Sequence, residues 1–441
     1  MVRDEKDGVT LNGHRADDSV GHRASDIVGD RAADIVGNRA ADGDPGRWRA
    51  LALVSLAVLL GMSVWFTASA VAPVLESRWD LSSSQVAWLT TLVQLGFVAG
   101  TIVAAVLNLA DVVPSRIYFS ASAVLAAAAN ALLTSVSGYE GALILRFFTG
   151  FFLAGVYPPA MKMMATWFRS GRGLAIGTVV GALTVGKATP YLFKLFGAAP
   201  LSAVVWGASG GAVFGGLLVA IAYREGPHRF GRASFSWGLV AEVVRHRPTR
   251  LATYGYLGHM WELYAMWTWV PAFLSASAVA RADRMGVAVL PTSSVDLAAF
   301  SAIAVGGLGC VWGGWMADRI GRGRFVNLAM AASGACALLV GCFFGQSFWI
   351  LLPLVLVWGL FVVADSAQFS AMVTEVAPQQ GVGTALTLQT SVGFLLTMVT
   401  IQGVPVLQES FGWSLAFPVL ALGPILGIAA IRKFDQGRRV S

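Results

Sequence analysis

Twelve stretches of about 20 or more predominantly apolar residues recur along this chain, at roughly 50–75, 84–107, 114–135, 139–168, 172–196, 201–223, 251–275, 295–317, 324–345, 347–373, 380–406 and 412–431. A helix of that length crosses the ~30 Å hydrocarbon layer of a bilayer. Unpaired backbone amides in lipid cost several kcal/mol apiece, so each span must be helical. The expected fold is an all-α polytopic membrane protein. With 56% of its 441 residues hydrophobic and 12% charged, the chain is too apolar for an ordinary soluble protein.

The basic residues orient the spans. With the N-terminus in the cytoplasm, Arg116, Arg169, Arg172, the arginines of 224–250, Arg319, Arg322, Arg324 and the C-terminal cluster from Arg432 to Arg439 all lie inside. Only Arg78, Arg281 and Arg284 lie outside. This bias predicts a multi-pass protein of the cytoplasmic membrane with both termini cytoplasmic. The net charge of +7 then reflects orientation in a lipid bilayer and not nucleic-acid binding. Residues 1–49 differ: four eight-residue units beginning at Gly13, Gly21, Gly29 and Gly37 balance Arg against Asp and carry few large apolar groups. They read as a disordered cytoplasmic tail. No apolar run of secretory type precedes residue 50. Cys310, Cys336 and Cys342 fall in the eighth and ninth spans with no zinc spacing, and suit small apolar packing.

Between the eighth and ninth spans stands Gly314-Trp-Met-Ala-Asp318-Arg319-Ile-Gly321-Arg322-Gly-Arg324. A degenerate copy, Leu109-Ala110-Asp111-Val-Val-Pro-Ser-Arg116, occupies the corresponding place between the second and third, with Asp111 and Asp318 207 residues apart. Met163–Gly173 aligns with Ala371–Gly381 at an offset of 208, and Pro73 with Pro271 at 198. The shorter last offset reflects a longer outside loop in the second half, Ser275–Ser294. A near-constant offset predicts two pseudo-symmetric six-helix halves, 50–223 and 251–434. They are joined by a cytoplasmic linker, 224–250, in which Ser234–His246 forms a surface helix, and are followed by a short tail, 435–441.

Over residues 48–434 the chain resembles the major facilitator superfamily. The resemblance rests on Gly314-x-x-x-Asp318-Arg319-x-Gly321-Arg322-x-Arg324 and on Arg146-Phe-Phe-Thr-Gly150 in the fourth span. It implies a twelve-helix transporter in which helices one, four, seven and ten line a central cavity, working as a monomer. In the first-half copy of the loop motif Leu107 replaces the leading Gly, Val112 the basic residue and Pro114 the second Gly, leaving Asp111 and Arg116. Physically, Gly314 permits close helix approach. Asp318 lies within reach of Arg322 or of a neighbouring helix N-terminus. A state-dependent cytoplasmic gate of Asp111, Arg116, Gly314, Asp318, Arg319, Arg322, Arg324 and Glu375 is one reading; plain anchoring of basic loops is the other.

An ionisable group in hydrocarbon costs about 2.5–3.5 kcal/mol at a helix centre, which makes it a functional candidate. Helical periodicity puts Arg146 and Tyr157 on one face of the fourth helix, and Lys187 at a similar depth on the fifth, with Tyr191 between it and Lys194. Arg146 and Lys187 together suit a carboxylate or phosphate; alternatively each pairs with a protein carboxylate across the halves. Lys162 and Lys194 are near enough to the interfaces to extend towards them. On the seventh helix His259 and Glu262 share a stripe near mid-membrane, and Asp365 lies in the tenth. Glu262 or Asp365, with His259, could load and release a proton; otherwise each acid is a fixed counter-ion. Trp65 and Trp261 belong to an aromatic set with Phe66, Tyr157, Tyr264, Trp267 and Trp269; some face lipid or form an interfacial belt, and a few facing inward could select a planar or apolar substrate. Pro158, Pro159, Pro190 and Pro271 would bend helices.

The leading expectation is a proton-coupled secondary transporter of a small organic anion working by alternating access. Arg146, Lys187, Tyr157, Tyr191, Trp261 and Trp65 would bind the anion, while Glu262, His259 and Asp365 would carry the proton. Two alternatives stay open: export of hydrophobic or cationic drugs, and a non-transporting sensor on the same fold. The methionines of the fourth helix point in different directions, so no metal site and no cofactor are expected. An enzyme lacks support, since no paired nucleophile and base or nucleotide loop is present.

Overall fold

A computed structural model describes residues 45–168, 171–194, 201–228 and 237–440. The repeat tail up to residue 44 lies outside the described residues. Helix α1 starts at Gly46, slightly before the expected 50, and is broken into Gly46–Met62, Thr67–Ala70 and Ala72–Trp79. Then follow α2 (Ser83–Val106), α3 (Ser115–Ala131), α4 (Tyr139–Leu153 and Tyr157–Trp167), α5 (Arg172–Phe193) and α6 (Leu201–Ala222). A linker helix, Trp237–Arg245, falls within the expected Ser234–His246. The second set is α7 (Arg247–Met285), α8 (Thr292–Ile320), α9 (Arg322–Val340), α10 (Phe348–Ala364 and Ser366–Val376), α11 (Val382–Phe411) and α12, which ends in Leu422–Val440. Helix α7 continues to Met285, so the first part of the expected loop Ser275–Ser294 is helical. Among the described residues ten helices are long and apolar enough to cross a membrane. The two expected spans outside that set are the interrupted α1 and α5, whose apolar run is diluted by Lys187 and several Gly and Thr residues.

Pairing repeats with a shift of six helices. In the first set α1 packs on α5 and α6, α2 on α4, and α3 on α4 and α6. In the second α7 packs on α11 and α12, α8 on α10, and α9 on α10 and α12. Across the seam α2 meets α11 and α5 meets α8. The breaks follow the repeat too: α4 restarts at Tyr157 and α10 is interrupted at Asp365, 208 residues later. Pro158 and Pro159 fit the restarted first turn of α4, where the missing N–H groups would have had no partner in any case.

Backbone contact brings the two sets together. A Cβ on Gly177 would stand 2.7 Å from the Cys310 carbonyl oxygen, and one on Gly181 2.7 Å from that of Gly307. One on Gly314 would stand 2.9 Å from the Gly173 oxygen. Only a residue without a side chain allows α5 and α8 to approach so closely.

Candidate functional site

The break in α1 shapes the centre of the molecule. Between Met62 and Thr67 the helical ladder lapses, and Arg146 of α4 takes up the freed carbonyls. Its guanidinium donates to the Val64 oxygen at 3.1 Å, to Trp65 O, to Leu89 O on α2 at 3.3 Å and to Asn130 Oδ1 on α3 at 3.0 Å. Ser63 holds the same bend by donating to Leu60 O at 2.6 Å and to Ala208 O on α6 at 3.1 Å. Arg146 is fully buried with every one of these acceptors in its own half. This geometry argues against the expected anion contact: the donors are already directed to backbone and amide oxygens. The expected shared face with Tyr157 presupposed an unbroken helix, whereas α4 is interrupted between them at Ala154–Val156. Tyr157 itself opens the second segment of α4 and is half-buried against the core.

The buried bend presents Trp65 to the seam, where Lys187 meets it. The Lys187 ammonium sits 3.9 Å from the Trp65 ring centroid, 4.4 Å from that of Tyr264 and 5.4 Å from that of Trp267, and donates to the Tyr264 hydroxyl. Lys187 is 1% exposed, and no carboxylate lies within 4.0 Å of it among the described residues. Phe66, Phe97 and Phe394 complete the aromatic layer, with Phe97 and Phe394 4.6 Å apart from opposite halves. The indole N–H groups of Trp65 and Trp267 are buried without a hydrogen-bond acceptor. The Gln94 amide on α2 is likewise buried, with no partner for its nitrogen or its oxygen.

On the face away from the linker helix, a cavity of about 410 Å³ opens between α1, α2, α5, α7, α8 and α11. Tyr191 lines it, its hydroxyl unpartnered, beside Lys194 and Asp296. Lys194 does not extend to the interface as expected. It pairs with Asp296 of α8 at 2.5 Å, a contact between the halves. Glu76, Gln408 and Trp413 form other parts of the wall.

Expected proton-handling groups cluster within the second half. His259 Nδ1 is 2.9 Å from Asp365 Oδ1, both buried, at the α10 interruption. Glu262 accepts from Trp358 Nε1 at 2.6 Å and Ser333 Oγ at 2.8 Å. Trp261 turns away from the seam, donating to the Val419 oxygen at 3.1 Å beside α12, so its expected role in substrate contact has no geometric support.

At the linker face, Asp318 lies against the first turn of α5: a Cβ on Gly173 would be 2.9 Å from its carboxylate. Arg322 is 3.8 Å from Asp318 and donates to Glu375 at 2.7 Å and Gln368 at 2.7 Å. Arg319 stacks on Trp315 at 3.7 Å, while Arg116 and Arg324 are exposed. The side chain of Asp111 lies outside the described residues. Lys162 donates to the Ala110 carbonyl.

Sequence reasoning passed over Asn130, Trp358 and Gln94. Asn130 had a visible signal, as the lone polar residue in the alanine run of α3. Trp358 had none, because one more aromatic in an apolar helix carries no mark.

Known proteins match this arrangement. The model of the Major Facilitator Superfamily fits residues 53–400. The MFS-type transporter hasB of Aspergillus fumigatus (strain CBS 144.89 / FGSC A1163 / CEA10) is 26% identical over 280 residues. The match covers 59% of this chain and 58% of that protein, so it spans little more than half of the relative's length. Among solved structures, a bacterial homolog to the human lysosomal transporter Spinster, in an inward-facing and unoccupied conformation, superposes with a TM-score of 0.60. At 15% identity over 89% of this chain and 94% of that one, it speaks to the fold. A family match over most of the chain, on helices paired as two repeats of six, places this protein in the Major Facilitator Superfamily.

Proposed function

We propose that the protein is a secondary active transporter that moves a small, planar organic anion by alternating access, coupled to protons. The observation that carries this reading is the group of donors around Lys187. A buried ammonium without a carboxylate and two buried indole N–H groups without acceptors lie together at the seam. Buried donors ordinarily find partners, so a set left open on a seam suits an anionic ligand that arrives and leaves. The surrounding rings suit a planar body. Lys187, Trp65 and Tyr191 remain in the proposed substrate contact, and Arg146 passes to holding the α1 bend. Asp365, with His259 beside it, carries the proton in this reading, while Glu262 is a fixed acceptor for Trp358 and Ser333. The linker face is cytoplasmic, in keeping with its arginines, and the functional unit is a monomer in a lipid bilayer.

The test is counterflow in proteoliposomes with benzoate as the probe of an aromatic carboxylate, with and without an imposed pH gradient. Saturable exchange, accelerated by the gradient and lost in Lys187→Met, is expected. Binding without flux would move the protein to the sensor class. Flux of a lipophilic cation unaffected by Lys187→Met would move it to drug export, a reading favoured by the exposed Glu76 in the cavity wall.

A further inference from the structure

The aromatic layer has a shape of its own, independent of any substrate. Three rings stand within about 6 Å of one ammonium, the range in which a ring's negative face attracts a cation. Trp65 comes from α1, Tyr264 and Trp267 from α7, and the cation from α5, so the site is assembled across the seam. All four residues are at most 4% exposed. A charge taken out of water this completely normally needs an opposite charge beside it. Here ring faces and one hydroxyl stand in its place.

We infer that Trp65, Tyr264 and Trp267 form a built alkylammonium site that Lys187 fills from within, so that Lys187 sets the charge of what the seam accepts. With the cage filled, an incoming ammonium meets both a steric block and a like charge, while an anion meets the ammonium and the indole N–H edges. Without the lysine the same walls would take a cation. The inference concerns the site invoked under the anion reading but needs no transport to be true.

Chemistry supplies a matched probe. Truncation of Lys187 to alanine removes Cγ, Cδ, Cε and Nζ, the atoms of n-propylammonium. Purified wild type, Lys187→Ala and Lys187→Ala with Trp65→Leu would be titrated with propylammonium, reading tryptophan fluorescence and calorimetric heat. The single variant is expected to bind saturably, about 30-fold more tightly than wild type, the ratio a desolvated cation–ring contact supplies. Adding Trp65→Leu is expected to remove most of that gain. Equal affinity in wild type and Lys187→Ala, or a gain indifferent to Trp65→Leu, overturns the inference. Should Lys187→Ala be unstable, recovery by propylammonium and not by propanol or sodium is the expected result, since ligand binding stabilises the native state. Recovery that ignores the alkylammonium overturns it. Failure of benzoate exchange in wild type would count against the transport reading and leave this result standing.

Discussion

Replacing Arg146 by alanine distinguishes two uses of a buried cation. The wild-type guanidinium serves four acceptors: the carbonyls of Val64, Trp65 and Leu89 and the Asn130 amide oxygen. Hydrogen bonds from a charged donor contribute about 1.5–3 kcal/mol each. Relaxation and entering water would recover part of that sum. The net loss is expected near 3–5 kcal/mol, the scale seen when one partner of a buried charged contact is removed. In a six-helix unit this corresponds to a fall in thermal midpoint on the order of 10 °C. The assay is the loss of monodisperse protein in detergent on heating, with and without benzoate. Arg146→Lys, which cannot span all four acceptors, should fall between wild type and Arg146→Ala and keep its benzoate-induced shift. An Arg146→Ala protein with the wild-type midpoint but no benzoate stabilisation would refute the structural role and restore Arg146 to the anion site.

Other outcomes follow from the seam and the gates. Gly181→Leu places a side chain where even a Cβ would be 2.7 Å from the Gly307 oxygen; it should cost about 1–3 kcal/mol and abolish exchange, measured by thermal midpoint and counterflow. Asp318→Asn removes a half-exposed carboxylate from the α5 N-terminus, worth about 0.3–1 kcal/mol. The thermal midpoint in detergent should fall by about 1–4 °C, and an unchanged midpoint would count against this contact. Asp365→Asn should leave substrate exchange intact but remove accumulation driven by a pH gradient, whereas Glu262→Gln, its partners Trp358 and Ser333 retained, should keep both. The reverse pattern would make Glu262 the coupling acid.

Much of the architecture was legible because membrane folding is governed by regular, additive rules. Span length and a constant offset between Asp111 and Asp318 do not depend on side-chain packing. The linker helix was legible for the same reason. The site was read less well. No proline or glycine lies within Ser63–Phe66, and the bend there depends on Arg146, more than 80 residues away. Once Arg146 is directed to that bend, the two-cation site expected from matching depths disappears. Lys187 and Trp65 stood out in the sequence as a cation and an indole within apolar spans, but the direction of their side chains depends on other helices. Trp261 was misjudged because helical spacing gives an angle only relative to neighbouring residues, and α12 fixes which neighbour faces it.

The glycines of α5 have a mechanical consequence. Gly173, Gly177 and Gly181 recur every fourth residue against Gly314, Cys310 and Gly307, so the facing register advances evenly along the pair. Such a strip is a bearing surface: with no knobs to unseat, the halves can tilt upon it while staying in touch. The axis of rocking would then run along this line, and motion would be greatest on the opposite flank, where α2 and α11 meet through Thr91, Gln402 and the paired rings of Phe97 and Phe394. Cross-links across the α5–α8 line should therefore be tolerated during turnover, and cross-links across the α2–α11 flank should arrest it.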